Sequence, residues 1–172
     1  MKLSSRQTIQ AATLLIAASV SGYLFASGGS SGSSFAPLSN ANWASECASC
    51  HTLYHPALLP ERSWRKLMRT LGQHFGEDAS VDEATEKEIA DFLASNAADR
   101  SDHRRARKIA QAIPAGTTPL RSSETAYFIR KHEELSPSIW KRKAIGSKAN
   151  CIACHADAGQ GNFDEHSIRI PR

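Results

Sequence analysis

Every cysteine in this 172-residue chain belongs to a Cys-x-x-Cys-His motif, ECASCH at 46–51 and NCIACH at 150–155. A structural disulfide makes no use of a histidine directly after each pair. A thioredoxin-like site wants one such motif at a strand-to-helix junction of a βαβ pattern, which this sequence does not offer. Zinc is the serious rival, since four thiolates complete its tetrahedral shell, but it leaves both histidines unexplained. Covalent haem c uses all three residues of each motif. Two thiols form thioethers with the vinyl groups of one haem, and the next residue places an imidazole under the iron. The motifs therefore predict two haems, one held by Cys47, Cys50 and His51 and the other by Cys151, Cys154 and His155.

The first 26 residues, MKLSSRQTIQAATLLIAASVSGYLFA, set Lys2 and Arg6 before an apolar run and contain no acidic residue. That is the layout of a secretory signal, with small residues suited to cleavage near Ala26 or Ser27. An uncleaved anchor is the competing reading, although the run is short for a membrane span and diluted by Ser19, Ser21 and Gly22. Export to the periplasm is expected, with membrane contact only through a partner or an uncleaved leader. A Gly/Ser-rich linker follows at 27–40. The chain has 21 basic and 17 acidic residues, and loss of Lys2 and Arg6 takes the net charge from +4 to +2. No long basic block with interleaved aromatic residues remains, which excludes a nucleic-acid-binding reading.

A second protein ligand on each iron would favour outer-sphere electron exchange, whereas an open position admits a small molecule. Apart from Met1, in the leader, Met68 is the only methionine, so at most one haem can be His/Met. Five histidines remain: His55, His74, His103, His132 and His166. In SWRKLMRTLGQHFG, Trp64, Leu67, Met68 and Leu71 recur at helical spacing. His74 lies about 20° from Leu67 around that helix, on the apolar stripe. A lone histidine on such a face is more often a core residue. In a chain whose iron needs a partner, it is the candidate distal ligand of the first haem. Met68 reads as core filling. In SSETAYFIRKHEEL, with Ser122 or Ser123 as cap, His132 shares a face with Phe128 and Ile129 and is the candidate for the second haem. His166, in the polar tail DEHSIRIP, is its reserve. His55 reads as facing solvent or a haem propionate, and His103 as exposed in a first helical turn.

Short helices are expected at each haem motif. Further helices are expected at 62–75, at 81–95 behind the capping box Ser80-x-x-Glu83, and at 102–113 until Pro114 stops it. Ser136-Pro137 should open another short one. No alternating strand pattern appears, so the fold class is all-α. A mature part this small cannot enclose two haems in a conventional core. The haem faces must form much of it, each Å² of buried apolar surface contributing roughly 25 cal/mol. Without haem the chain is expected not to fold stably. Each motif has its distal candidate on its own side of the chain, which suggests haem modules at 41–100 and 101–172.

Two stretches, CASCHTLYHPALLPERSWRKLMRTLGQHFGEDAS and CIACHADAGQGNFDEHSIRIP, resemble the exported bacterial dihaem cytochrome c family. The shared signals are LLP-x-x-SW and HFG-x-x-A after the first motif and G-x-F-x-E after the second. The resemblance implies two c-type haems with two histidine ligands each, the distal ones falling on His74 and His132. It also implies an electron carrier between a membrane b-type cytochrome and a small soluble, oxygen-binding monohaem cytochrome c.

The expected function is transfer of single electrons from a quinol-linked membrane donor to a soluble acceptor, without catalytic residues. The alternative is a dihaem peroxidase or small-ligand sensor with one open iron, though such peroxidases are much longer chains.

Overall fold

The computed structural model describes residues 34–172. The expected leader at 1–26 and the first part of the linker lie outside the described residues. Six short α-helices form the frame: α1 (Ala41–Ala48), α2 (Glu61–Met68), α3 (Glu83–Ser95), α4 (Arg104–Gln111), α5 (Ala126–Lys131) and α6 (Pro137–Trp140). Single 3-10 turns and loops connect them, and no strand occurs among the described residues. The fold is all-α. No helix among these residues is long and apolar enough to cross a membrane.

The helices are shorter than the apolar periodicity predicts, because side chains compete for the backbone at their ends. The helix expected over 62–75 stops at Met68. Thr70 turns its hydroxyl back to the carbonyls of Lys66 and Leu67, at 3.0 and 3.2 Å, and leaves helical geometry with φ −123°. A separate 3-10 turn, Leu71–Gln73, then carries the chain to His74. At α3 the cap is Asp82, which accepts from the Thr85 amide at 3.0 Å, rather than Ser80. His103 caps α4 by accepting from the Arg105 amide, rather than lying within its first turn. Thr125 caps α5, while Ser122 and Ser123 lie in a preceding 3-10 turn.

Two apolar clusters hold these pieces together. The first gathers Trp43 from α1, Trp64, Leu67 and Met68 from α2, and Ile89 and Leu93 from α3. The Trp64 indole N–H donates to the Pro56 carbonyl at 2.7 Å, so the large ring is buried without an unmet donor. Met68 fills this core, as its position on the stripe predicts. The second cluster draws on both sides of residue 100, joining Phe35, Ala57 and Ala98 to Ala106, Ile109 and Ile113.

A clasp ties the start of the described chain to its end. The Phe35 amide donates to the Gly161 carbonyl at 2.9 Å, and its ring stacks on His55 at 4.6 Å. His55 donates through Nε2 to the Ala36 carbonyl at 3.0 Å, and its Nδ1 accepts from the Ala57 amide at 3.1 Å. Contrary to the solvent or propionate role expected from sequence, His55 is only 5% exposed and both its nitrogens are taken. Burial pushes its pKa down, opposed by the bond to Ala36. His103 is likewise half-buried, edge-on to Phe35 at 5.1 Å, rather than exposed.

Candidate functional site

The six described helices bring four histidines together as two pairs. His51 follows Cys50 just beyond α1, and His74 ends the turn after α2; their ring centres lie 6.1 Å apart. His132 ends α5 and His155 follows the 3-10 turn Cys151–Ala153; their ring centres lie 6.2 Å apart. His74 reaches its partner because the helix breaks at Thr70, so a different backbone path delivers the residue that the face argument selects. Phe75, at φ +54°, sets the chain's exit from this turn. His166 is exposed on the surface and pairs with neither.

One ring in each pair is tied by its Nδ1. His51 donates to the Thr52 carbonyl at 2.7 Å, and His132 to the Phe128 carbonyl at 2.8 Å. A carbonyl can only accept, so each of these rings carries a proton on Nδ1, which leaves Nε2 as the nitrogen that can turn to a metal. The other ring of each pair, His74 or His155, has a buried Nδ1 with no protein partner. A buried polar atom without a partner is rare unless a group from outside the chain satisfies it.

Aromatic and cationic side chains brace the pairs. Phe128 stacks on His132 at 4.0 Å, with Trp140 tilted at 5.7 Å. Phe163 lies 5.5 Å from His155. Phe75 meets His74 edge-on at 4.8 Å, and the Arg121 guanidinium sits 3.9 Å over the Phe75 ring. Burial lowers the pKa of His74, and the His51 and Arg121 charges lower it further. For His155, burial is again the leading cause, followed by His132 and Arg105. For His132, burial outweighs the opposing bond to Phe128, with help from Lys148 and Lys131. In all three rings these effects favour the neutral form, the one that binds a metal.

The spacing can be tested against an iron held from both sides. With metal–nitrogen bonds of about 2.0–2.1 Å, two imidazoles on opposite faces of one metal place their ring centres about 6.3 Å apart. The observed 6.1 and 6.2 Å meet that requirement. No disulfide joins any of the four cysteines, Cys47, Cys50, Cys151 and Cys154. Among the described residues no three His, Cys, Asp or Glu side chains converge as a metal cage, so the four-thiolate zinc arrangement is not built. Burial pushes the Cys47 and Cys151 thiols up to about 11. The residues present fit haem c.

The family model described as dihaem cytochrome c matches residues 43–163. No curated protein matches the chain. Among solved structures, a dihaem cytochrome c from Rhodobacter sphaeroides is 44% identical, with a TM-score of 0.67 over 75% of this chain and 100% of that one. A second structure, of the protein purified from the same organism, is 41% identical over 74% of this chain and 99% of that one, with a TM-score of 0.59. A dihaem cytochrome from Shewanella baltica is 33% identical over 77% of this chain and 93% of that one, with a TM-score of 0.63. The chain thus belongs to the dihaem cytochrome c family, which implies electron transfer, and carries two covalently bound haem c groups.

Proposed function

We propose that the protein is an exported carrier of single electrons in which both irons are closed by two histidines. Cys47 and Cys50 attach the first haem, with His51 and His74 as its ligands. Cys151 and Cys154 attach the second, with His155 and His132. The observation that carries this reading is the pair of imidazole–imidazole spacings of 6.1 and 6.2 Å. A haem closed on both faces exchanges electrons at its edge and offers no position for a substrate, which argues against the peroxidase or sensor alternative. Each haem is served by its own stretch of chain, 41–100 and 101–172, with the second apolar cluster joining the two, and the leader delivers the protein to the periplasm.

The imidazole planes are nearly parallel in the first pair, 25° apart, and nearly perpendicular in the second, 82° apart. Near-parallel planes split the iron's π-orbitals, while perpendicular planes leave them almost degenerate. The oxidised holoprotein is therefore expected to give two distinct low-spin paramagnetic resonance signals, one rhombic and one strongly anisotropic. Pyridine haemochrome analysis should count two c-type haems per chain. A high-spin ferric signal, or carbon monoxide binding to the reduced protein, would sink the closed-site reading.

The partners we propose are a membrane b-type cytochrome as donor and a small soluble cytochrome c as acceptor. Charge supports separate docking faces for them. Residues 41–100 carry ten acidic and six basic side chains, whereas residues 101–172 carry seven and thirteen. Around the second motif, Lys141, Lys143 and Lys148 are exposed, and among the described residues none of them forms an ion pair. Whichever partner meets the second haem should present an acidic surface. Raising the salt from about 0.01 to 0.1 M shortens the Debye length from about 30 to 10 Å and should slow that exchange several-fold. Stopped-flow rates that stay constant across this range would remove the electrostatic pairing.

A further inference from the structure

Tyr54 lies three positions after His51, yet its hydroxyl ends at the other haem motif. The ring is half-buried against the first apolar cluster and tilted over the His51 imidazole, with centres 5.2 Å apart. Its hydroxyl donates to the Ala149 carbonyl at 2.6 Å, across 95 positions of sequence. That same carbonyl accepts from the Cys151 amide at 3.0 Å. The contacts form an unbroken line: the His51 ring, the Tyr54 ring, its O–H, the Ala149 carbonyl, and the backbone of Cys151.

We infer that Tyr54 is a positioning residue that holds the two haem-attachment loops against each other and sets the electronic contact between the two haems. The inference rests on His51 as a ligand of the first haem and Cys151 as an attachment point of the second. A ring in contact with one centre and hydrogen-bonded to the backbone of the other replaces a gap with continuous matter, through which an electron couples better than through a void or water. The step it serves moves one electron from one iron to the other. One iron is oxidised, its neighbour is reduced, and no proton or third reactant is needed.

The test uses the full holoprotein poised half-reduced, with exchange between the haems read from nuclear magnetic resonance signals of the haem methyl groups. Tyr54→Phe removes only the bond to Ala149, and Tyr54→Leu removes the ring contact as well. Exchange is expected to slow several-fold in the first variant and at least tenfold in the second. Both haems should stay low-spin, and the unfolding midpoint of the Phe variant should lie close to that of the parent. Exchange within twofold of the parent in both variants overturns the inference and leaves the electron-carrier reading intact. Slowing that appears only together with a high-spin signal also overturns it, because Tyr54 would then act through ligation of the first iron. If the Leu variant fails to fold, the Phe variant alone decides. A parent protein with an open iron sinks the ligand assignment, and this inference with it.

Discussion

Replacing His74 with alanine should convert one of the two haems to the high-spin state while both stay covalently attached, and His132→Ala should do the same to the other. The thioethers do not depend on the distal side, so pyridine haemochrome analysis should still count two haems per chain in each variant. Each opened iron should then bind carbon monoxide once when reduced, where the parent binds none. No other side chain is placed to take over. Met68 is fixed in the core beside Trp64, His55 has both nitrogens engaged, and His166 is exposed on the surface. The resonance spectrum adds a finer check. His74→Ala should remove the rhombic signal of the near-parallel pair, and His132→Ala the strongly anisotropic signal of the perpendicular pair. A wholly low-spin spectrum in either variant would mean that the assignment of that ligand is wrong.

Gly161→Ala is expected to be among the most destabilising single-methyl changes in the molecule. Gly161 has φ +78°, in the left-handed region, where any Cβ is strained. A Cβ there would lie 2.9 Å from Cδ2 of His55 and 3.1 Å from Cβ of Phe35. Neither neighbour can yield cheaply. Phe35 is held by the hydrogen bond from its amide N–H to the Gly161 carbonyl, and His55 by hydrogen bonds at both ring nitrogens. Backbone strain and overpacking together should cost about 2–4 kcal/mol, which lowers Tm by roughly 10 °C. Gly159→Ala is the matched control, since its Cβ would meet nothing within 4 Å and its φ is not positive. Chemical denaturation of the holoproteins should separate the two variants clearly. Equal midpoints would show that the clasp contributes little to stability.

Legibility differed with the kind of chemistry. Cys-x-x-Cys-His is a local signature, because thioether attachment and proximal ligation all happen within five consecutive residues. The partner that faces each motif histidine is non-local, yet His74 and His132 could be picked out because a buried imidazole on an apolar face has few other uses in a chain with two irons to serve. Helix ends were read less well. The 62–75 helix was expected to continue through Thr70, and the capping residues of α3 and α5 were misplaced by two or three positions. In each case several hydroxyl, carboxyl or imidazole groups stood within reach of the same free amides, and the winner depended on where the rest of the chain lay. His55 and His103 were misread for a related reason. Nothing near them in sequence announces Phe35, which stacks on one and meets the edge of the other.

By itself the amino-acid order determined the covalent chemistry, the all-α class and the small set of imidazoles able to close two irons, since these depend on neighbouring residues and on counting. Only the tertiary structure decided which rings face each other at 6.1 and 6.2 Å, how their planes are turned, and that Phe35, His55 and Gly161 lock the two ends of the described chain together. It also brought Tyr54 to Ala149, residues 95 positions apart. Such contacts arise from the joint packing of segments remote in sequence, and no local pattern of residues encodes the distance between them.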